Sequence, residues 1–110
     1  MSYRIEKVNS LIQQELSKII NREMEFPESS LVTVTSVETS VDLKQAKIWV
    51  SVFPIREAKK VLRLLNQKIG YLQGLLNKKL VMYPLPRIKF ILDTTEEKAE
   101  EVERLLDKIK

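Results

Sequence analysis

Two stretches of alternating residues decide the fold of this chain: LVTVTSVE at positions 31–38 and AKIWVSVF at positions 46–53. Their β-branched and aromatic residues favour strands. In the second stretch every other side chain from Ala46 to Val52 is apolar, which places one face of that strand on a core. Residues 40–45, with Asp42 among them, predict a turn. We therefore expect an antiparallel hairpin with one face on the core and the other more exposed.

Helical periodicity flanks the hairpin on both sides. Apolar residues recur at three- and four-residue steps from Tyr3 to about Met24, and again after Pro54. Gly70 interrupts the second stretch, because glycine weakens a helix interior by about 1 kcal/mol relative to alanine. We expect two helices that meet at a kink there, with Tyr71 in the apolar stripe and Gln73 facing outward.

The end of the chain predicts one more strand and one more helix. RIKFILD at positions 87–93 alternates, and residues 94–110 combine threonine caps, early glutamates and a narrow apolar stripe. The order is helix, strand, strand, helix–kink–helix, strand, C-terminal helix. It indicates an α+β, two-layer single domain over residues 1–110 with a three-stranded sheet.

Composition excludes several classes of function. The chain has no cysteine and no histidine, which removes thiol chemistry, disulfides and the commonest general base and metal ligand. The carboxylates Glu38, Asp42 and Asp93 are separated, and we interpret them as turn, cap or surface residues. The first residues lack the apolar run that is typical of a signal peptide, and charges interrupt every apolar stretch before it reaches the length of a membrane span. We expect a cytoplasmic, non-enzymatic protein with no cofactor, metal site, membrane partner or small-molecule substrate.

Positive charge is concentrated in one third of the chain. The net charge is +4 at pH 7, but residues 54–92 hold nine basic side chains and one acidic one. Such a segment attracts polyanions, nucleic acids above all. The basic positions that we predict to contact RNA here are Arg56, Lys59, Lys60, Arg63, Lys68, Lys78, Lys79, Arg87 and Lys89. The first four share one helix face, Lys68, Lys78 and Lys79 extend it past the kink, and Arg87 and Lys89 lie at the start of the next strand. The alternative is a solvated amphipathic face.

Two uncharged residues are further candidates for RNA contact. Gly70 at the kink permits close approach of a backbone, and amides freed at a broken helix can meet a phosphate. The alternative is a packing role for this glycine. Trp49, beside Lys47 on the outer face of its strand, can stack on a base. The alternative is that a neighbouring helix covers it.

Four blocks of the sequence resemble the ribosome-binding factor A family. Residues 32–51 resemble its VTVTxVExSxDLxxAxVxVS hairpin almost position for position. The helix from Arg4 to Glu23 is similar to its first helix, the segment Gly70–Leu76 to its GFIRxLL segment, and the strand Pro86–Asp93 to its PELxFxxD strand. The resemblance implies a KH-type II-like fold in which a helix–kink–helix replaces the GXXG loop.

The resemblance also implies a function. It implies a non-enzymatic assembly factor that binds the free small (30S) ribosomal subunit through 16S rRNA and assists its late maturation, including rRNA processing and growth in the cold. Carried over by position, it adds Arg4 and Lys7 of the first helix to the RNA-contacting candidates. It also places the kink at Ile69 and Gly70.

Two positions depart from the family pattern. Lys68 stands where the family has its kink alanine, and Gln73 stands where it has an arginine, which removes a cation. An alternative function is a protein-interaction module that recognises an acidic ribosomal protein or factor, because a cationic helix face can meet carboxylates as well as phosphates. The apolar residues are accounted for by internal faces, so we expect a monomer.

Overall fold

A computed structural model describes residues 3–27, 29–81 and 85–94 of the chain. The elements in chain order are α1 (Tyr3–Glu23), β1 (Leu31–Thr39), β2 (Gln45–Phe53), a 3-10 turn (Ile55–Glu57), α2 (Ala58–Gln67), α3 (Ile69–Lys79) and β3 (Arg87–Leu92). The predicted order is confirmed as far as β3, and the α+β class with it. The predicted C-terminal helix falls on residues 95–110, outside the described residues.

The sheet has the order β1-β2-β3, with β2 in the centre. β1 pairs with β2 in antiparallel orientation, as the hairpin predicts, while β3 pairs with β2 in parallel. A parallel neighbour requires a long crossover, which the two helices between β2 and β3 supply. The crossover places α2 and α3 over one face of the sheet, so the other face carries no described helix.

A β-bulge at Thr35 changes the alternation within β1. Val34 is opposite Val50 and Ser36 is opposite Trp49, so Thr35 is the additional residue. The inward-facing side chain before the bulge is Val34 and the next one after it is Val37, three positions further on. The spacing of three was visible in the sequence, but the interpretation of a regular strand missed it.

The core lies between the sheet and the three helices. The fully buried side chains include Ile12, Leu16, Ile19 and Ile20 in α1, Val61 and Leu65 in α2, Leu72 and Leu76 in α3, Ala46, Ile48 and Val50 in β2, and Pro86 before β3. β3 adds Ile88 and Phe90 to the same face. Because these residues recur at helical spacing in the helices and at every second position in the strands, the predicted two-layer arrangement is confirmed.

The helix break is centred on Lys68 rather than on Gly70. Lys68 has φ −103° and ψ 7°, the sparsely populated bridge region, and its amide donates to the carbonyls of both Leu64 and Leu65. Ile69 and Gly70, where we predicted the kink, are the first two residues of α3. The predicted position was wrong. The break at Lys68 has a negative φ, so a lysine can occupy it and no glycine is required. Gly70 itself does not adopt a positive φ.

The two flanks of α3 are the reverse of the predicted ones. Tyr71, predicted to be in the apolar stripe, is 52% exposed, and its hydroxyl donates to Glu23 at the end of α1 at 2.8 Å. Gln73, predicted to face outward, is half-buried against β3. The Gln73 amide donates to the Pro86 carbonyl at 3.1 Å and its oxygen accepts the Ile88 amide at 2.8 Å. Both residues flank the buried Leu72, and only the packing of neighbouring elements decides between them.

The hairpin turn is organised by a carboxylate. Asp42 accepts hydrogen bonds from the Ser40 hydroxyl at 2.6 Å and the Lys44 amide at 3.1 Å. These two bonds, the hydroxyl first, hold the pKa of Asp42 below its ordinary value. Leu43 completes the turn in the left-handed region with φ 62°. The turn role predicted for Asp42 is confirmed.

Candidate nucleic-acid interface

The predicted ridge of cations on α2 is present and open to solvent. Ala58, Val61 and Leu65 bury one side of the helix, so the residues between them face outward. We call the exposed residues Arg56, Lys59, Lys60 and Arg63 the α2 ridge. Arg56 itself lies in the 3-10 turn before the helix. Because the ion pairs within the described part of the chain are Lys18–Glu15 and Arg22–Glu23, no described carboxylate neutralises the ridge.

The break between α2 and α3 has mixed rather than purely positive charge. Lys68 lies with its ammonium 5.8 Å from the centroid of the Tyr71 ring, within cation–π range. Glu23 accepts from both Arg22 and Tyr71 at 2.8 Å. The Arg22 bond first, and then that of Tyr71, lowers the pKa of Glu23, while Glu23 raises the pKa of Tyr71. An adjoining depression of about 350 Å³ also includes Glu25 among its lining residues.

Gly70 is exposed beside this break and has free space around it. A Cβ added at Gly70 would meet no atom within 4 Å. The space does not support a packing role for the glycine within the described residues, since a side chain fits there without a clash. It leaves the predicted role, close approach of an RNA backbone, as an untested prediction.

The remaining helix cations are exposed at the ends of their helices. Lys78 and Lys79 occupy the last turn of α3, about 15 Å along the helix from Lys68. Arg4 and Lys7 are exposed near the start of α1. Asn9 in the same part of α1 accepts hydrogen bonds from the amide and the hydroxyl of Thr39 at the end of β1. Arg4 and Lys7 therefore lie towards the hairpin turn rather than beside the α2 ridge.

Arg87 and Lys89 lie in β3, the predicted strand, and do not belong to the α2 ridge. Ile88 and Phe90 of β3 point towards the helices and are buried, so Arg87 and Lys89 point to the other side of the sheet. The alternation of β3 separates its charged residues from the helix layer. The contact of Arg87 and Lys89 with RNA stays a prediction.

A third cation joins these two on the face of the sheet that the described helices leave uncovered, which we call the open face. The register of the parallel strands puts Lys47 of β2 beside Lys89 and Gln45 beside Arg87. Lys47, Arg87 and Lys89, the sheet cluster, line a depression of about 340 Å³. Lys47 was missing from the predicted site, although its place next to Trp49 on the outer face of β2 was evident from the alternation.

Trp49 lies on the open face, half-buried between Ser36 of β1 and Ile91 of β3. All three described helices pack on the opposite face of the sheet, so none of them covers the indole. The described residues therefore do not support the interpretation in which a neighbouring helix covers Trp49.

Residues 3–27, 29–81 and 85–94, which the structure describes, contain neither a candidate metal site nor a membrane-spanning helix. Within these ranges no group of three or more His, Cys, Asp or Glu side chains is arranged to hold a metal ion. No helix there combines the length and the apolar character that crossing a membrane requires.

Comparison with known proteins identifies the family. A sequence model described as Ribosome-binding factor A matches residues 4–106 of the chain. The chain belongs to the ribosome-binding factor A family. A relative of that name from Akkermansia muciniphila is 37% identical over 109 residues, which span 99% of this chain and 86% of the relative. The resemblance found in the sequence blocks is thereby confirmed.

Structures of family members share the fold. The crystal structure of ribosome-binding factor A from Thermus thermophilus matches with a TM-score of 0.71 and 26% identity, covering 82% of this chain and 97% of that one. A Thermus thermophilus ribosome-binding factor A homology model, fitted into the cryo-EM map of a 30S complex, matches with a TM-score of 0.67 and 28% identity. It covers 77% of this chain and 90% of that one.

Proposed function

We propose that this protein binds the small ribosomal subunit through 16S rRNA and assists the late maturation of that subunit. Two observations support the proposal: the family to which the chain belongs, and the Thermus thermophilus relative placed in a map of a 30S complex. The observation that carries it is the α2 ridge, four exposed cations on one surface without a described carboxylate partner. Participation in rRNA processing and in growth in the cold belongs to the same proposal, as do a cytoplasmic location and a monomeric state.

The ridge acts by positioning the protein on the RNA backbone. Cations spaced along a helix contact phosphates, which fixes orientation without reading base sequence. Each neutralised phosphate releases counterions, so affinity falls with salt. Four ridge contacts on duplex RNA predict a loss of roughly 100-fold between 50 and 200 mM salt. A binding constant that stays constant across this range would contradict the electrostatic mechanism.

The experiment is co-sedimentation with free small subunits, mature subunits and whole ribosomes at low and at high salt. The ridge variant Lys59→Glu, Lys60→Glu is compared with the control Lys18→Glu, Lys44→Glu, which changes the net charge equally at exposed positions outside the predicted site. We expect salt-sensitive binding to the free small subunit that is lost in the ridge variant and largely kept in the control. Equal binding by both variants would move the RNA surface away from α2.

The alternative function is recognition of an acidic ribosomal protein or factor by the same ridge. Carboxylates pair with exposed lysines and arginines as phosphates do, so charge alone does not separate the two. Nuclease treatment of the gradient fractions does. Under our proposal it abolishes the association, whereas an association that survives complete RNA digestion favours the protein partner.

A further inference from the structure

The domain carries two cationic surfaces on opposite sides of its two layers. The buried residues of α2 face the sheet, so the α2 ridge on the other side of this helix faces away from the sheet. The sheet cluster lies on the open face, separated from the ridge by the full thickness of the core. The charged groups facing the cluster from neighbouring strands are Glu38, directly opposite Lys47, and Asp93, which accepts a 2.7 Å hydrogen bond from Thr35.

An aromatic residue, Trp49, lies next to the sheet cluster on the same face, and a second one, Phe53, lies at the far end of β2. Trp49 and its neighbour Ile91 are two positions along from Lys47 and Lys89, about 6.6 Å further on the strands. Phe53, on the same side of β2, is 54% exposed. Surfaces that bind single-stranded nucleic acid combine such features, since cations follow the backbone while aromatic rings stack on unpaired bases.

We propose that the open face is a second RNA surface, which binds an unpaired segment with its phosphates on the sheet cluster and a base on Trp49. This inference rests on the proposed RNA binding by the α2 ridge and goes beyond it. Because the two surfaces point in opposite directions, two different RNA segments occupy them at once. The domain then bridges a backbone-bound segment on its helices and an unpaired segment on its sheet.

The sequence provides a direct probe, since Trp49 is the single tryptophan of the chain. The full-length protein is titrated at low salt with an unstructured eight-nucleotide oligoadenylate while its tryptophan emission is recorded. Two variants of equal charge are compared with the parent: Lys47→Gln, Lys89→Gln on the open face, and Lys59→Gln, Lys60→Gln on the α2 ridge. All four lysines are exposed, and circular dichroism verifies that each variant is folded.

We expect the oligonucleotide to quench Trp49 in the parent and in the ridge variant with similar half-points. In the sheet variant the half-point rises about tenfold, and the slope of log K against log salt becomes smaller by about 1.4 as two contacts are removed. Equal quenching by the parent and the sheet variant would overturn the inference. Absence of quenching in the parent would also overturn it. Emission that responds to salt but not to oligonucleotide would overturn it too.

Bridging is measured with two oligonucleotides, one immobilised and one fluorescent. The parent should retain the fluorescent strand on the immobilised one, and each double variant should lose this retention. A mixture of the two variants should not restore it, because one molecule must supply both faces. Restoration by the mixture would show bridging between copies and would overturn the assignment of two surfaces to one domain. Co-sedimentation with the small subunit tests the proposed function separately, so the two can fail independently.

Discussion

Gln73 holds the start of the edge strand β3 against α3, and replacing it tests that arrangement. In Gln73→Ala the amide of Ile88 loses its 2.8 Å acceptor and the carbonyl of Pro86 loses its 3.1 Å donor. The Ile88 amide points away from β2, so the sheet ladder offers it no substitute partner. Pro86 and Ile88 are both buried, which limits how well water can replace the glutamine.

The magnitude follows from these two hydrogen bonds. An intramolecular hydrogen bond contributes about 0.5–1.5 kcal/mol, and a buried group left without a partner costs about 1–3 kcal/mol. The higher helix propensity of alanine offsets only a few tenths of a kcal/mol of this loss in stability. We therefore expect Gln73→Ala to lower the free energy of unfolding by about 2 kcal/mol. With a urea m-value on the order of 1–3 kcal/mol/M, the unfolding midpoint falls by about 1 M.

The assay is equilibrium unfolding in urea, followed by Trp49 fluorescence and by circular dichroism. Gln14→Ala is the matched control, since Gln14 is an exposed helical glutamine in α1, and its midpoint should move by less than the equivalent of about 0.5 kcal/mol. The m-value should stay constant in both variants. A midpoint of Gln73→Ala indistinguishable from that of Gln14→Ala would refute the reasoning.

Three further predictions concern α1, the helix break and the glycine beside it. Asn9→Ala removes the acceptor of the buried Thr39 amide and hydroxyl and should cost about 1–3 kcal/mol in the same urea assay; a loss below the control range would contradict it. The lowered pKa of Glu23 means that its contribution to stability is present above the ordinary value of 4.5 and is lost as pH falls through the lowered pKa. The stability difference between the parent and Tyr71→Phe should thus shrink in acid, and a difference that grows would argue against the contact. Gly70→Ala should stabilise the fold by about 0.5–1 kcal/mol, since the added Cβ meets nothing; reduced binding to the small subunit by this stabilised variant would show that RNA approaches the glycine.

The elements of the fold were predictable because each follows from local periodicity. The alternation of residues 46–53 and the three- and four-residue steps of the helices specify which side chains face the core, and burial agrees. The bulge at Thr35 was not predicted, although the three-residue spacing between Val34 and Val37 indicates it. The parallel pairing of β3 with β2 is different, because it depends on how the crossover packs and not on any local pattern.

The exposure of each candidate RNA-contacting cation was predictable, whereas the grouping of these cations into a surface was predictable only for the α2 ridge. Every basic position proposed from the sequence is exposed, and that follows from its place between apolar residues. Which of them share a surface depends on tertiary pairing, which brings Lys47 beside Lys89 from 42 positions away. The flank of α3 that meets β3 is likewise decided by packing, so Gln73 was assigned to solvent and Tyr71 to the core.

β3 connects the stability of the fold to the proposed second RNA surface. One side of this strand supplies Ile88 and Phe90 to the core, and the other supplies Arg87 and Lys89 to the open face. Its edge is held by Gln73, at the position where the family pattern has an arginine. A guanidinium has no acceptor for the Ile88 amide, so glutamine gives up a cation and gains an acceptor for an edge strand. In the proposed RNA binding, α3 then contributes Lys78 and Lys79 but no cation at position 73. The hydrogen bond from the Ile88 amide to Gln73 holds the strand that carries Arg87 and Lys89 of the sheet cluster.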